Sequence, residues 1–502
     1  MKVSKLALVA TAVIAAFAFA SCALLGFGSK ADAGKGRVIV VGSGLAGHAA
    51  VYGALERGAE VLWIEKNKDL GGSAAIATGT FSAAGTRTQK AKGIEDSVEL
   101  FAADLNRIGK GKADQELLML YATKAAEVWE WFVDNGLEVS AQSPFIDPVH
   151  SPYSVPRTNT PAKNSALEYC KVLQNAMKPF ESRLTVMKST EVTKLIKERG
   201  AVVGVRARDL GGEKDYFAAS VILATGGFGS NFELIARRMP KYAELRSVTP
   251  PFALGTGILM AEEAGAALVH MDYLVGYFGA IAEEGKKASG FGSLTSGFAE
   301  RWKGDVWLTL EGRRYIDEDD DDEDPRETAI DAIPDQTTII VFDQASVDRN
   351  GGMARLPVRN FDQWLAKGYG VKKADSIEEL ARAFGLPVDE TLKTIAQVNA
   401  DAAAGSDPQF GKKENYPVAT PPFYGIKAYG TIFMTQGGVK TDTQLRVIST
   451  KGEPIPGLYA AGEVQGTAQW GGYGYAGGSG NTPPLVFGFD AGRNAATLAL
   501  GK

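Results

Sequence analysis

The sequence predicts an α/β protein built on a parallel sheet and carrying a second, inserted body, and three observations carry that expectation. A β-branched run, Arg37 to Val41, meets the turn Gly42-Ser43-Gly44-Leu45-Ala46-Gly47, and a helical stretch to Gly58 leads into a second strand that closes on Glu65. Two further apolar strands that run out into glycine lie far downstream, Val221 to Gly227 and Gly457 to Glu463. Between them, from about residue 271 to 435, helical patterns such as SIEELARAFG and ETLKTIAQVNADAAAG appear without any turn of that kind.

Composition bounds what the chain does. It has 502 residues, 45% hydrophobic and 23% charged, ordinary for a globular protein and long enough for more than one domain. A net charge of -5 leaves no basic field for nucleic acid. Cys22 and Cys170 are the only cysteines, too few for a disulfide framework, an iron–sulfur cluster or a cysteine-rich zinc site, and no CxxCH run is present to attach haem. His48, His150 and His270 are the only histidines, which removes most histidine-based metal and triad chemistry; no metal is expected.

Residues 1–30 read as an export signal. Lys2 and Lys5 precede an apolar run from Leu6 through Ala20, and the lack of paired arginines favours the general secretory route. Cys22 follows Ala20 and Ser21 as in a bacterial lipoprotein signal, with Phe19 where such signals usually carry Leu. Lipidation at Cys22, cleavage to a free exported protein and a retained anchor all stay open. Each places the protein in the cell envelope, in the periplasm or on the outer face of the cytoplasmic membrane.

Taken in order, the mature chain opens on a dinucleotide site. The glycines let a turn and a helix N-terminus approach a pyrophosphate, and Glu65 stands roughly 20 residues on, where an acid reaches a ribose hydroxyl. Gly71-Gly72-Ser73 and the small-residue stretch AAIATGTFSAAG follow, letting backbone lie against a bulky ligand. With the later ATGG and AGE segments they indicate FAD rather than NAD. Helical spacing runs from about 95 to 135, ending at Gly136, and residues 190–221 read as short antiparallel strands. A helix, GILMAEEAGA, leads to His270. The acid run at 317–324, DEDDDDED, is expected to be a solvated loop, because adjacent acids resist burial.

On these segments the chain resembles the flavoprotein superfamily of succinate dehydrogenases, soluble fumarate reductases and 3-ketosteroid dehydrogenases, over essentially all of residues 36–502. The resemblance implies a Rossmann-like FAD-binding domain, 36–270 and 436–502, interrupted by an α+β capping or clamp domain, 271–435. It implies FAD contacts at Gly42, Gly44, Gly47, Glu65, Gly72, Ser73, Thr225, Gly226, Glu463 and Gly480. None of the three histidines stands where membrane-bound relatives link flavin, so the FAD is expected to be non-covalent.

The family's reductases pass hydride from flavin N5 to a double bond and protonate the neighbouring carbon with an arginine. After Glu311-Gly312-Arg313-Arg314-Tyr315 and the acid run, Arg326 matches that arginine, and Arg301 matches a member of its proton-delivery chain. The groups that hold fumarate's carboxylates are replaced by Tyr277, Met434 and Tyr475, which argues for a less charged substrate. Tyr475, in Gly474-Tyr475-Ala476-Gly477-Gly478-Ser479-Gly480, looks like the tyrosine with which 3-ketosteroid dehydrogenases polarise a ketone. The expected activity is reduction of a C=C bond conjugated to a carbonyl, in an enone or enoate other than fumarate, with electrons from an external donor such as a membrane quinol or a cytochrome. Two alternatives stand beside it: a 3-oxosteroid-type dehydrogenase using Tyr277 as base, and a flavin electron-transfer protein without its own substrate.

Overall fold

The structure, a computed structural model, describes residues 34–147, 151–281, 302–320, 323–353, 361–368 and 370–502. The expected export signal with Cys22, together with His150 and Arg301, lies outside the described residues, as do the side chains of Tyr277 and Arg326.

Six strands form the first sheet: β1 (Arg37–Val41), β2 (Glu60–Ile64), β3 (Leu184–Met187), β7 (Ser220–Leu223), β14 (Arg446–Ile448) and β15 (Pro454–Ala460). Their order is β14-β15-β7-β1-β2-β3, parallel throughout except for the β14–β15 pair. Val38, Ile39 and Val40 are fully buried, so β1 has no solvent face, as a central strand of a parallel sheet requires. Between β3 and β7 the chain makes an antiparallel meander, β4 (Glu191–Glu198), β5 (Ala201–Asp209) and β6 (Gly212–Phe217), where the sequence places one.

Helix α1 (Leu45–Glu56) follows the glycine turn, and α2 (Val98–Ile108), α3 (Gln115–Asp134) and α4 (Leu167–Met177) complete the early helical layer. Side chains of Ser97 and Asp114 cap α2 and α3 by accepting first-turn amides. After α5 (Thr256–Glu263) the longer helices between residues 271 and 435 are α6 (Glu323–Ala332), α7 (Phe361–Lys367), α8 (Ile377–Phe384) and α9 (Val388–Ala403), and the last long helix is α10 (Thr482–Leu500). That last helix lies directly on α1. A Cβ on Gly488 would stand 2.5 Å from the carbonyl oxygen of Ala46, and one on Gly53 or Gly492 would collide with the carbonyls of Phe489 and Ala50. The two backbones therefore touch through a seam of glycine and alanine.

A second sheet is organised by β13 (Phe423–Thr435), thirteen residues long. It pairs with β8 (Arg246–Ser247), β9 (Leu274–Ala280), β11 (Thr337–Asp343) and β12 (Val371–Ala374), while β10 (Val306–Leu308) pairs with β11. Alternate residues of β11 enter separate cores, Ile340 and Phe342 with Trp307 and Tyr424, Ile339 and Val341 with Leu380 and Ile395. This strand is thus covered on both faces, which the unbroken burial of TTIIVFD and its apolar stretch IIVF reflect.

The acid run departs from the expected solvated loop. Glu318 is buried and accepts from Arg314 Nε and Nη2 at 3.0 and 2.7 Å and from the Trp307 amide at 3.0 Å. Lys412 Nζ stands 3.3 Å from it and donates to the carbonyl of Asp305 at 2.6 Å, and Arg314 reaches on to Asp407 at 2.9 Å. Burial pushes the Glu318 carboxyl up, yet Lys412 and Arg314 together bring it below the ordinary range. Asp305 goes the other way, pushed up to about 6 by burial. The acid is buried because it is paired, and its partner Lys412 comes from a segment remote in sequence. Glu323 and Asp324 open α6.

Two stability changes follow. Lys412→Met strands buried carboxylates and is expected to cost about 3–5 kcal/mol in urea unfolding. Gly492→Ala, which gains about 1 kcal/mol in an exposed helix interior, is expected to lose about 1–3 kcal/mol here through overpacking; a gain in the same assay would show that α1 and α10 are not held at that distance.

Candidate active site

A cavity of about 1660 Å³ runs from the carboxyl ends of β1, β2 and β7 to the end of β13. The strand ends of an open α/β sheet are where ligands bind, because helix N-termini and glycine turns meet there.

The glycine turn forms the first wall. Gly42 has φ +100°, in the region that favours glycine, and a Cβ on it would collide with the carbonyl of Ala224. Gly44 differs, since its position has nothing within 4 Å and opens onto the cavity. Gly47 stands back from the cavity wall; its missing side chain leaves room for the Gly42 carbonyl, so it serves helix–strand packing and not contact. Glu65, buried at the end of β2, accepts from the Ser43 amide and hydroxyl at 2.8 and 2.7 Å and from the Asn67 amide at 2.7 Å. Gly72 and Ser73 lie beside it, held by Gly71, whose amide donates to the carbonyl of Ser43 at 3.0 Å.

Thr225 and Gly226 end β7 on the same cavity, and Gly226 has open space where a Cβ would be. Glu463 lies opposite and accepts from the amide and hydroxyl of Thr435, both at 3.0 Å. Burial pushes its carboxyl up, against the pull of those donors. Thr225 Oγ1 and Thr467 Oγ1 are buried on this wall without a protein partner. Unpaired buried hydroxyls are costly and call for a polar ligand. The open glycine positions, the acid at the end of β2 and these two hydroxyls fit a dinucleotide.

The far end of the cavity has another character. Tyr475 meets Phe433 edge to face at 5.2 Å, and its hydroxyl occupies the space left by Gly480: a Cβ there would stand 2.7 Å from the phenol oxygen and 3.2 Å from Met434 Cε. The loop that carries Tyr475 and Gly480 is pinned through Gly477, whose carbonyl accepts from the Ser82 and Tyr153 hydroxyls, both at 2.7 Å. Behind Tyr153 lies Arg157, fully buried, with Asp96 at 2.9 Å, Asp104 at 3.0 Å and the rings of Phe101 and Tyr153 on its faces. Sequence reasoning singled out none of Ser82, Tyr153 and Arg157. They are isolated polar residues in the sequence, and only the fold brings them to residue 477.

A smaller cavity of about 260 Å³ also borders Tyr475, between β9, α6 and the loop of Tyr473. Gly276, Thr431, Ile330 and Asp331 line it. Tyr277 follows Gly276 in β9 opposite Thr431, and Arg326 lies one helical turn before Ile330 in α6. The elements bearing Tyr475, Tyr277 and Arg326 therefore converge. His270 is close by, with Nδ1 3.2 Å from the hydroxyl of Tyr473, which stacks on Tyr273 at 4.0 Å.

Known proteins share this architecture. Residues 37–481 match the family model described as FAD binding domain. A probable fumarate reductase of Shewanella frigidimarina (strain NCIMB 400) is 32% identical over 480 residues, covering 93% of this chain and 76% of that protein. The open conformation of a flavocytochrome c3 fumarate reductase superposes with a TM-score of 0.76 at 30% identity, covering 92% of this chain and 78% of the other. The fold of a 3-ketosteroid Δ1-dehydrogenase from Sterolibacterium denitrificans, solved with 1,4-androstadiene-3,17-dione, superposes with a TM-score of 0.77 at 22% identity, over 93% and 99% of the two chains.

Gly44→Val tests the cavity. Backbone φ at Gly44 is -66°, which any residue adopts, and its Cβ position is free, so the fold should keep its unfolding midpoint. The valine fills the place where backbone approaches a pyrophosphate, and FAD binding, followed by flavin fluorescence, should be lost.

Proposed function

The chain belongs to the FAD binding domain family and to the fumarate reductase flavoprotein superfamily, and from that premise we propose that it reduces a C=C bond conjugated to a carbonyl in an enone or enoate other than fumarate. It is an FAD-dependent oxidoreductase acting on carbon–carbon bonds. The observation that carries the substrate reading is the Tyr475 hydroxyl at the gap above Gly480, among Met434 and Phe433. Among the described residues lining the large cavity, Lys66 is the sole Lys, Arg or His, and its Nζ donates to the carbonyl of Phe252 at 2.7 Å. Phe433 and Met434, the described side chains beside Tyr475, are apolar, which suits an uncharged carbonyl better than a carboxylate at that point.

Bound on the glycine turn, Gly72, Ser73, Thr225, Gly226 and Glu463, FAD supplies the hydride chemistry. The chain's own residues do the rest. Tyr475 donates its hydroxyl hydrogen to the substrate carbonyl and gains strength as that oxygen gains charge in the transition state. Phe433 and Met434 keep water from the reacting carbons. Arg326, on α6, returns a proton to the α-carbon, fed through Arg301. An arginine with a pKa above 12 performs this only where negative charge develops beside it and a carboxylate resupplies it.

The FAD is read as non-covalent, because none of the three histidines stands where membrane-bound relatives link flavin, and the ring nitrogens of His48, the one nearest the glycine turn, are both engaged inside the protein. Electrons come from outside the chain, from a quinol or a cytochrome, and the site of work is the cell envelope. Among the described residues no helix is long and apolar enough to cross a membrane. Both membrane holds that the first thirty residues offer, a lipidated Cys22 and a retained anchor, stay part of the proposal. A second reading, dehydrogenation of a 3-oxosteroid with Tyr277 as base, uses the same Tyr475. Oxidation of a saturated 3-oxosteroid by a dye, with no enone reoxidising the dithionite-reduced enzyme, would favour it.

Turnover with an accepted enone separates chemistry from binding. Tyr475→Phe is expected to lower kcat on the order of 10²–10³-fold with little change in KM. Gly480→Ala should also lower kcat by displacing that hydroxyl, yet should cost little more when added to Tyr475→Phe. Full additivity, or a Tyr475→Phe enzyme within twofold of the parent, would remove the ketone-polarising role.

A further inference from the structure

A glycine turn that binds phosphate through its amides also carries carbonyls, and an oxygen left facing a pyrophosphate would repel it. The Gly42 carbonyl accepts the indole N–H of Trp63 at 2.9 Å. The Gly44 carbonyl accepts the His48 amide at 3.0 Å, the first bond of α1, and also His48 Nδ1 at 3.2 Å. A carbonyl only accepts, so Nδ1 carries the hydrogen and Nε2 is left as acceptor. Gln174 Nε2 stands 3.0 Å from that atom, which fixes the tautomer from the other side. The imidazole and indole meet edge to face, 4.7 Å apart with 86° between their planes.

Two more facts place these groups on the inner side of the turn. His48 and Trp63 are both fully enclosed and neither lines the large cavity. The Gly42 oxygen lies where a Cβ on Gly47 would be, whereas the Cβ position of Gly44 is open. Burial brings the His48 ring down to about 4, so it stays neutral and keeps this tautomer at ordinary pH. A buried imidazole among the small residues of α1 makes its three polar contacts only with the turn, with Ser43 beside it, and with Gln174. Apolar packing alone would be served as well by leucine.

We propose that His48 and Trp63 are a positioning pair for the phosphate turn, drawing the carbonyls of Gly44 and Gly42 into the protein so that the turn presents only its amides to the pyrophosphate of FAD. The pair acts on the phosphates through the backbone and touches no reacting atom. It rests on FAD binding, which the family establishes, and is independent of the substrate reading.

The test compares Trp63→Phe, His48→Leu and His48→Asn with the parent holoprotein. Flavin released on serial dilution is read by fluorescence, first with FAD and then after exchange into riboflavin, which has no phosphate. Losing one such hydrogen bond should raise the Kd for FAD roughly 3–10-fold in Trp63→Phe and in His48→Leu. Riboflavin affinity should stay within twofold, and the ³¹P resonances of bound FAD should shift. His48→Asn, whose side-chain amide can donate to the same carbonyl, should recover most of the loss. Because Trp63→Phe keeps the ring and drops only the N–H, it carries the test even if His48→Leu does not fold. Equal losses for FAD and riboflavin would mean a packing defect and overturn the proposal, as would unchanged FAD affinity. A parent protein that held neither flavin would overturn the cofactor assignment and the proposal with it.

Discussion

The contact of α1 with α10 is the constraint on which the rest of the molecule depends. Two helices come this close only where side chains are absent, and the chain supplies Gly53 on one and Gly488 and Gly492 on the other, with alanines between. The consequence reaches the cavity directly. With α10 seated on α1, Gly462 comes to rest against Ala46, where a Cβ would be 2.9 Å from the alanine methyl. The AGE segment is thereby brought to the glycine turn, and Glu463 and Gly44 become walls of one cavity although some four hundred residues separate them.

The two ends of that cavity are stabilised by different physics. At the nucleotide end the backbone is the working surface, and the side chains around it, Glu65 on Ser43 and the rings behind the turn, orient peptide groups. At the other end the proposed working surface is a side chain, that of Tyr475, and the backbone is what must be held. Ser82, Tyr153 and the enclosed Arg157 with its two carboxylates do the holding. Burying an arginine with Asp96 and Asp104 is costly unless every partner stays in register, which makes that hub a rigid support and not a flexible one. Strand β13 joins the ends: its partners include β9, β11 and β12, and its last residues, Phe433 to Thr435, touch Tyr475 and Glu463.

Much of this was legible in the sequence because it is local. A β-branched run followed by glycines at fixed spacing specifies strand, turn and helix within thirty residues, and the meander at 191–217 and helices α2 and α3 announce themselves by period and by caps. Gly42, Gly44, Glu65, Gly72, Ser73, Thr225, Gly226, Glu463 and Gly480 all reach the cavity. Gly47 belongs to the same motif but works on its inner side, since one pattern encodes both contact and packing. Glu318 was misread because a run of acids looks the same whether or not a lysine ninety residues later is folded onto it. The support behind Gly477 was invisible for the same reason: Ser82 and Tyr153 carry no spacing relative to it that a local pattern records.

The strand order has a consequence for biogenesis. β1 is sandwiched between β2 and β7, and β15 and α10, which complete that layer and cover it, are encoded after residue 450. Ribosomes add about 5–20 residues per second, so the glycine turn waits on the order of tens of seconds for its far wall to be made. During that interval the nascent chain carries bare strand edges and half of a nucleotide pocket. The cavity that takes FAD is therefore complete only once the residues after 450 have been made, and full flavin binding cannot precede the synthesis of α10.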